Sequence, residues 1–498
     1  MAGQNITVIR GGLVLNPGGG EAAPADILID GDRIVQIGPP GLTAPEGASV
    51  RDATDRLLIP GLINAHTHGH GSLGKGMGDR WPLELLINAG PWMTGNRGVE
   101  EKYLAAKLNA ADMIARGCTA AYDLYSEFPL ATLDGMTAAA RGYADVGARV
   151  VLAPMMADTT FYDAIPGLRD ALPEALGKQV DAVRMAPAEA HLQACGTLLR
   201  GWGGAPMVAG LALAPTIPLH CSDAFITGCD RLAKEHGVGL HMHLAESKSQ
   251  AVSGLTRYGK TLTAHLDEIG FLRPGFTGAH CIWLDSDDIT RLADNGCAIA
   301  HNPGSNLRLG SGVAPARDIL TSGMTLGVGT DGSSCSDNQN MFEAMRLASF
   351  VSRVRGPDPE SWLETGEVFR MATEGSAAAL GWGGQLGRLA PGYLADIVFL
   401  DLGASAFVPL NDPVNQLVHA EDGGGVRDVM VGGRMVLEDR VFTQFDYGAL
   451  RTAVAETTAR LAETTVETKA LAMALENHVG QYCIGLARAP YPINHLVG

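Results

Sequence analysis

The chain has 498 residues, 46% of them hydrophobic, and carries 37 basic against 54 acidic side chains, a net charge of −17. The length suggests about two to four domains, or one large domain with an accessory one. An acidic chain without a basic block argues against nucleic acid or an anionic membrane as partner.

The first 60 residues read as short strands. "NITVIRGGLVLN" and "ADILIDGDRIVQIG" alternate β-branched residues with predicted turns at Gly11-Gly12 and Asp30-Gly31. The N-terminus has no apolar signal core, and no run reaches the length of a membrane span. Eight cysteines occur without a CxxC pair, which fits free buried thiols in a reducing cytoplasm.

From Gly61 the texture changes. Eight apolar runs follow: "GLINAH", "CTAAYDLY", "ARVVLAPMM", "MVAGLALAPT", "VGLHMHLAE", "FTGAHCIWL", "CAIAHNP" and "TLGVGTDG". Helical stretches such as "VEEKYLAAKLNAADMIARG" and "DAFITGCDRLAKEHG" lie between them. The pattern predicts an α/β fold, a parallel (β/α)8 barrel. A doubly wound open sheet is the alternative, weakened because no GxGxxG turn follows a strand. Strand texture returns in "LGRLAPGYLADIVFLDL" and "VRDVMVGGRMVLEDRVF". The expected organisation is a small β-sandwich from residues 1–60 and 386–445, a barrel over 61–385, and a helical tail over 446–498. The tail is expected to pack on the barrel or on a second subunit.

Active sites of such barrels sit at the C-terminal strand ends. The polar residues predicted there are His66 and His68 on the first strand, and His241, His243 and Glu246 on the fifth. His280 follows on the sixth, His301 and Asn302 on the seventh, Asp331 on the eighth. Side chains alternate along a strand, so His66 and His68 share a side, as do His241 and His243. Imidazoles and a carboxylate converging on one point suit one divalent metal, zinc first and iron(II) second. His243 is favoured over His241 as ligand because it sits nearer the mouth. His70 reads as a loop residue at the pocket edge, and His301 stays open. His220, His236, His265, His419, His478 and His495 read as structural.

"PGLINAHTH", "HMHLAES", "GAHCIWL", "HNPGSNLRLGSGVAP" and "GVGTDGSS" resemble the metal-dependent amidohydrolase superfamily. The likeness is strongest to its deaminase and chlorohydrolase branch, which holds methylthioadenosine/S-adenosylhomocysteine deaminases and triazine hydrolases. "LGRLAPGYLADIVFLD" resembles the segment returning from the barrel to the β-sandwich. The resemblance implies metal ligands at His66, His68, His243 and Asp331, with Asp331 also taking a proton from the metal's water. It implies Glu246 as the acid that protonates a ring nitrogen and His280 as the residue orienting the attacking hydroxide. Two-metal members use a lysine or glutamate on the fourth strand. "GLALAPTIPLH" has neither, which implies a single metal.

A divalent metal lowers the pKa of bound water from 15.7 towards ~7, and hydroxide then attacks an sp² carbon. The expected reaction is deamination of a small aminated pyrimidine, purine, pterin or triazine. The alternatives are displacement of chloride or an alkylamine from an s-triazine, cleavage of a urea, amide or carbamate, or a non-catalytic scaffold. The long loop after the first strand offers Trp81 and Trp92 to stack on a flat ring, and Lys75 or Arg80 to meet an anionic group. Ser333 is a further candidate contact, and Cys335 reads as a buried thiol. The partners expected are a heterocyclic small molecule and a homo-oligomer (dimer or larger) in the cytoplasm, with neither nucleic acid nor membrane.

Overall fold

The computed structural model describes residues 6–18, 21–203 and 208–496. Asn5 and Met207, which open two of the predicted strands, lie outside the described residues. The eight central strands are Leu62–Thr67, Cys118–Ser126, Arg149–Met156, Val208–Pro215, Gly239–Leu244, Phe276–His280, Ala298–His301 and Thr325–Val328. They pair in chain order, and every pairing is parallel. Their runs are apolar on both faces because the barrel interior and the surrounding helices both exclude water. The last strand comes back to the first: Asp331 N donates to His66 O at 2.9 Å. Gly329 allows this closure, since a Cβ there would lie 2.8 Å from the backbone N and O of His66.

Both chain ends build a second, nine-stranded sheet. Arg56–Pro60 runs parallel to Ile6–Val14 on one side and antiparallel to Ile397–Asp401 on the other. Alternation divides the faces. Ile9, Ile27, Leu58, Ile397 and Phe399 form a core of their own, while Leu57, Ile59, Val398 and Leu400 join the core of the barrel. The hairpin expected at Asp30-Gly31 forms, with Asp30 paired to Arg33 and Gly31 at φ 62°. The turn expected at Gly11-Gly12 does not form. The strand continues through a bulge between Ile9 and Gly12, with Gly11 at φ 67°. Gly12 lies against Leu58, where a Cβ would be 2.4 Å from Cδ1.

The two sheets are joined by a buried bidentate ion pair. Arg149, at the start of the third barrel strand, donates to Asp396 through Nε at 2.9 Å and Nη2 at 3.2 Å. The C-terminal tail forms two helices, Tyr447–Thr464 and Val466–Ala487. The second lies on the mouth side of the barrel. Asn88 Nδ2 of helix Leu83–Thr94 donates to Ala472 O at 2.9 Å, and Ser249 Oγ of helix Lys248–Tyr258 donates to Cys483 O at 3.1 Å. All eight cysteines are buried free thiols. Among the described residues no helix is long and apolar enough to cross a membrane.

Candidate metal centre and active site

The mouth of the barrel is held by polar side chains buried where the first and eighth strands meet. Asn64 Oδ1 accepts from His66 N at 3.2 Å and Thr330 N at 3.1 Å, and Asn64 Nδ2 donates to Thr330 Oγ1 at 2.7 Å. Gln339 accepts from Thr67 Oγ1 at 2.8 Å and donates to Asp331 O at 2.9 Å. Among the described residues, four non-glycine residues at barrel-strand ends take left-handed backbone: Ala245 (φ 49°), His280 (69°), Cys281 (50°) and Asp331 (65°). Such geometry costs about 1–3 kcal/mol per residue and persists where the surroundings enforce it. Here it lies beside His280 and Asp331 in the converging cluster.

His66, His68, His243, Glu246, His280 and Asp331 converge. The trios His66/His243/His280, His66/His68/Asp331 and Glu246/His280/Asp331 each bring their donor atoms within 4.8 Å of one another. Asp331 Oδ1 is 3.6 Å from His66 Nε2 and 3.3 Å from His68 Nε2. His280 Nε2 lies 3.7 Å from Glu246 Oε2 and 3.8 Å from Asp331 Oδ2. The outward nitrogens of these rings are fixed. His68 Nδ1 donates to Leu124 O at 2.7 Å, His243 Nδ1 to Thr216 O at 2.8 Å, and His280 Nδ1 to Asn306 Oδ1 at 2.8 Å.

These bonds decide the chemistry of the inward nitrogens. With the proton on Nδ1, each Nε2 presents a lone pair. His68 Nε2 and His243 Nε2 are 3.1 Å apart, so two lone pairs face one another. His66 Nε2 and His280 Nε2 are buried without a hydrogen-bond partner. Burial pushes His66 down to about 3 and also lowers His280, which favours the neutral form of these two rings. Burial alone would raise Asp331, but the surrounding His66, His68 and His280 side chains outweigh it and hold the carboxylate well below its usual range. Burial and then the charges of Asp331 and Glu84 raise Glu246 well above the usual carboxyl range. Neutral imidazole nitrogens and one carboxylate aimed at a common point are a donor set for a divalent metal.

The other sequence-derived candidates have varied fates. Ser333 is buried, and its Oγ accepts from Gln339 Nε2 at 3.2 Å. Trp81 and Trp92 pack edge to face with centroids 6.2 Å apart, and Lys469 Nζ lies 5.0 Å over Trp92. Lys75 is not brought into the cluster; its Nζ pairs with Asp112 Oδ2 at 2.9 Å. Cys335 donates to Gly332 O at 3.2 Å, and burial raises its thiol well above its usual range. His70 Nδ1 accepts from Ser126 N at 3.1 Å. His301 is buried, and neither ring nitrogen has a hydrogen-bond partner. His241 Nε2 lies 3.2 Å from His66 Nδ1.

Two residues were not singled out from the sequence. Asn306 holds His280, and Glu84, on helix Leu83–Thr94, is 5% exposed and accepts from Ser247 Oγ at 2.7 Å. A lone acid in the apolar run "PLELL" is the signal that marks it.

The sequence pattern of the amidohydrolase family matches residues 57–436. The chain belongs to the amidohydrolase family. It is 32% identical over 431 residues to a 5-methylthioadenosine/S-adenosylhomocysteine deaminase of Syntrophobacter fumaroxidans, covering 86% of this chain and 91% of that one. It is 32% identical over 433 residues to a 5'-deoxyadenosine deaminase of Methanothermobacter thermautotrophicus, covering 87% and 93%. Among solved structures, a zinc-bound adenosine deaminase from Xanthomonas campestris superimposes with a TM-score of 0.81 at 26% identity, covering 92% and 98%. A zinc-complexed atrazine chlorohydrolase from Arthrobacter aurescens superimposes at 0.80 and 28%, covering 91% and 100%. This family member is a hydrolase acting on carbon–nitrogen bonds, with a donor set for a divalent metal.

Proposed function

We propose that this amidohydrolase deaminates a small amino-substituted N-heterocycle, exchanging the amino group for oxygen from water and releasing ammonia. His66, His68, His243 and Asp331 would hold one divalent ion, zinc by its preference for imidazole with carboxylate, iron(II) being the alternative. The fourth barrel strand, Val208–Pro215, carries no lysine or acid for a second ion. A bound ion supplies hydroxide near neutral pH by lowering the pKa of water towards ~7.

The chain's own groups do the rest. Asp331 takes the proton of the attacking water. His280, its Nδ1 held by Asn306, turns a free Nε2 to the same point and orients that water by accepting from it. Glu246 delivers a proton to the ring nitrogen as electron density moves onto it, which lowers the barrier to attack on the C=N bond. The observation that carries this reading is the Glu246 carboxyl, 2% exposed and 3.7 Å from His280 Nε2, where burial and the charges of Asp331 and Glu84 favour its protonated form. Trp81, Trp92 and Ser333 are the proposed substrate contacts, with Lys75 the weakest of the set because Asp112 engages it. The buried thiols support a cytoplasmic setting. Exposed Val466, Met473 and Ile484 on the C-terminal helix support a homo-oligomer.

A second reading keeps the site and changes the leaving group to chloride or an alkylamine on an s-triazine. The likeness to the atrazine chlorohydrolase favours it.

The test is ammonia release from the zinc-loaded protein across aminated pyrimidines, purines, pterins and triazines. Wild type is expected to release ammonia and Asp331→Ala none. Glu246→Gln should keep its zinc and lose roughly 10²–10⁴-fold in rate. Chloride or alkylamine release from triazines without ammonia from any compound would replace the first reading by the second.

A further inference from the structure

Three inward-facing imidazoles are anchored on oxygen atoms that accept: His68 on Leu124 O, His243 on Thr216 O and His280 on Asn306 Oδ1. Their protons are thereby fixed on Nδ1. His66 is anchored differently. Its Nδ1 lies 3.2 Å from Nε2 of His241, a ring nitrogen able to give or to accept. Both rings are fully buried. The far side of His241 is apolar: its Nδ1 has no hydrogen-bond partner, and the ring meets Tyr122 edge to face at 4.4 Å.

Two neutral arrangements of this pair hold the same number of protons. In one, His241 Nε2–H donates to His66 Nδ1, so the His66 proton sits on Nε2, pointed at Asp331 Oδ1 3.6 Å away. That nitrogen is then closed to a metal. In the other, His66 Nδ1–H donates to His241 Nε2, His241 keeps its proton on Nδ1, and His66 Nε2 is a free donor. Only the second suits a ligand.

We propose that His241 is a positioning residue that accepts from His66 and sets its metal-binding tautomer and ring orientation. The inference rests on the reading of His66 as a metal ligand. It gives the first histidine of "HMHLAE" a task its position one pleat below His243 does not disclose. Partners of this kind orient a ligating histidine, and their loss typically costs 10–100-fold in metal affinity.

The experiment measures zinc affinity by competition with a chromophoric chelator, with circular dichroism and thermal melting as folding controls. His241→Phe and His241→Met, which remove the acceptor, should weaken zinc binding about 10–100-fold. His241→Gln, whose Oε1 reaches about as far as imidazole Nε2, should restore most of it. In the zinc-loaded wild type, ¹⁵N NMR of the histidines should find His241 protonated on Nδ1. Wild-type affinity in His241→Phe, or a His241 proton on Nε2 in the loaded protein, would overturn the inference. His66→Ala separates the two levels. If it also keeps full zinc affinity, the ligand assignment falls and the inference with it; if it loses zinc while His241→Phe does not, the inference falls alone. Should the apolar variants fail to fold, the wild-type NMR result decides.

Discussion

His68 Nε2 and His243 Nε2 stand 3.1 Å apart, and each ring gives its Nδ1–H to a backbone carbonyl, so in the neutral rings two lone pairs face one another. Two facing lone pairs in a buried site repel, and a cation shared between them removes the repulsion. Metal binding and folding are therefore expected to be coupled. Stripping the protein with a chelator should lower its melting temperature, and zinc should restore it. At free zinc 1,000-fold above Kd the gain is about 4 kcal/mol. His68→Ala and His243→Ala should each melt at a temperature little changed by zinc. A stripped wild type that melts with the loaded one would show that these nitrogens do not hold the ion.

Much of this site is legible in the sequence because barrel topology sends every strand end to one mouth. Once "HTH", "HMHLAE", "GAH" and "GTD" are placed on strands, their convergence follows. What the sequence hides depends on contacts between distant segments. Gly11-Gly12 looks like a turn, yet Leu58 packs where a side chain would stand and the strand runs through. Lys75 looks free to meet substrate, but Asp112, 37 residues away, engages it. His241 and His243 have the same spacing as His66 and His68, and the contacts tell their places apart: His241 Nε2 lies 3.2 Å from His66 Nδ1, while His243 Nε2 faces His68 Nε2.

Asp288 gives a pH dependence away from the site. It lies in the first turn of helix Ser286–Asp294, accepts from Thr261 Oγ1 at 2.6 Å, and is pushed up to about 6 by burial and by the charge of Asp285, against the hydrogen bond from Thr261. Its unfolded value is about 3.9. The folded state thus binds the proton more tightly than the unfolded one. The stability from this group is complete below its unfolded pKa and is lost as pH rises through about 6. The gap between the folded and unfolded values is worth about 3 kcal/mol. Asp288→Asn has no such proton, so wild type should lose that much relative to the variant between about pH 4 and pH 7. Paired denaturant titrations at the two pH values check this, and an unchanged difference would mean that burial does not raise Asp288.

The C-terminal segment beyond helix Val466–Ala487 ties together two loops of the mouth. Trp283, just after the sixth strand, donates through Nε1 to Ser311 O at 2.9 Å in the loop after the seventh. His495 binds both loops, donating through Nε2 to Leu284 O at 3.2 Å and accepting at its backbone carbonyl from Val313 N at 2.8 Å. Tyr491 and His495 pack edge to face on the Trp283 ring, at 5.9 and 5.8 Å. The first loop follows His280 and the second follows Asn306, the pair joined at 2.8 Å. Ending the chain at Ala489 removes this clamp and leaves the four proposed metal ligands in place. Zinc content should stay near one per chain, while kcat falls about 10- to 100-fold, the scale on which small misplacements of reacting groups act. His495→Gln, which keeps an N–H for Leu284 O, should lose far less than His495→Ala. Wild-type kcat in the shortened chain would show that the His280–Asn306 pair holds its geometry without the tail.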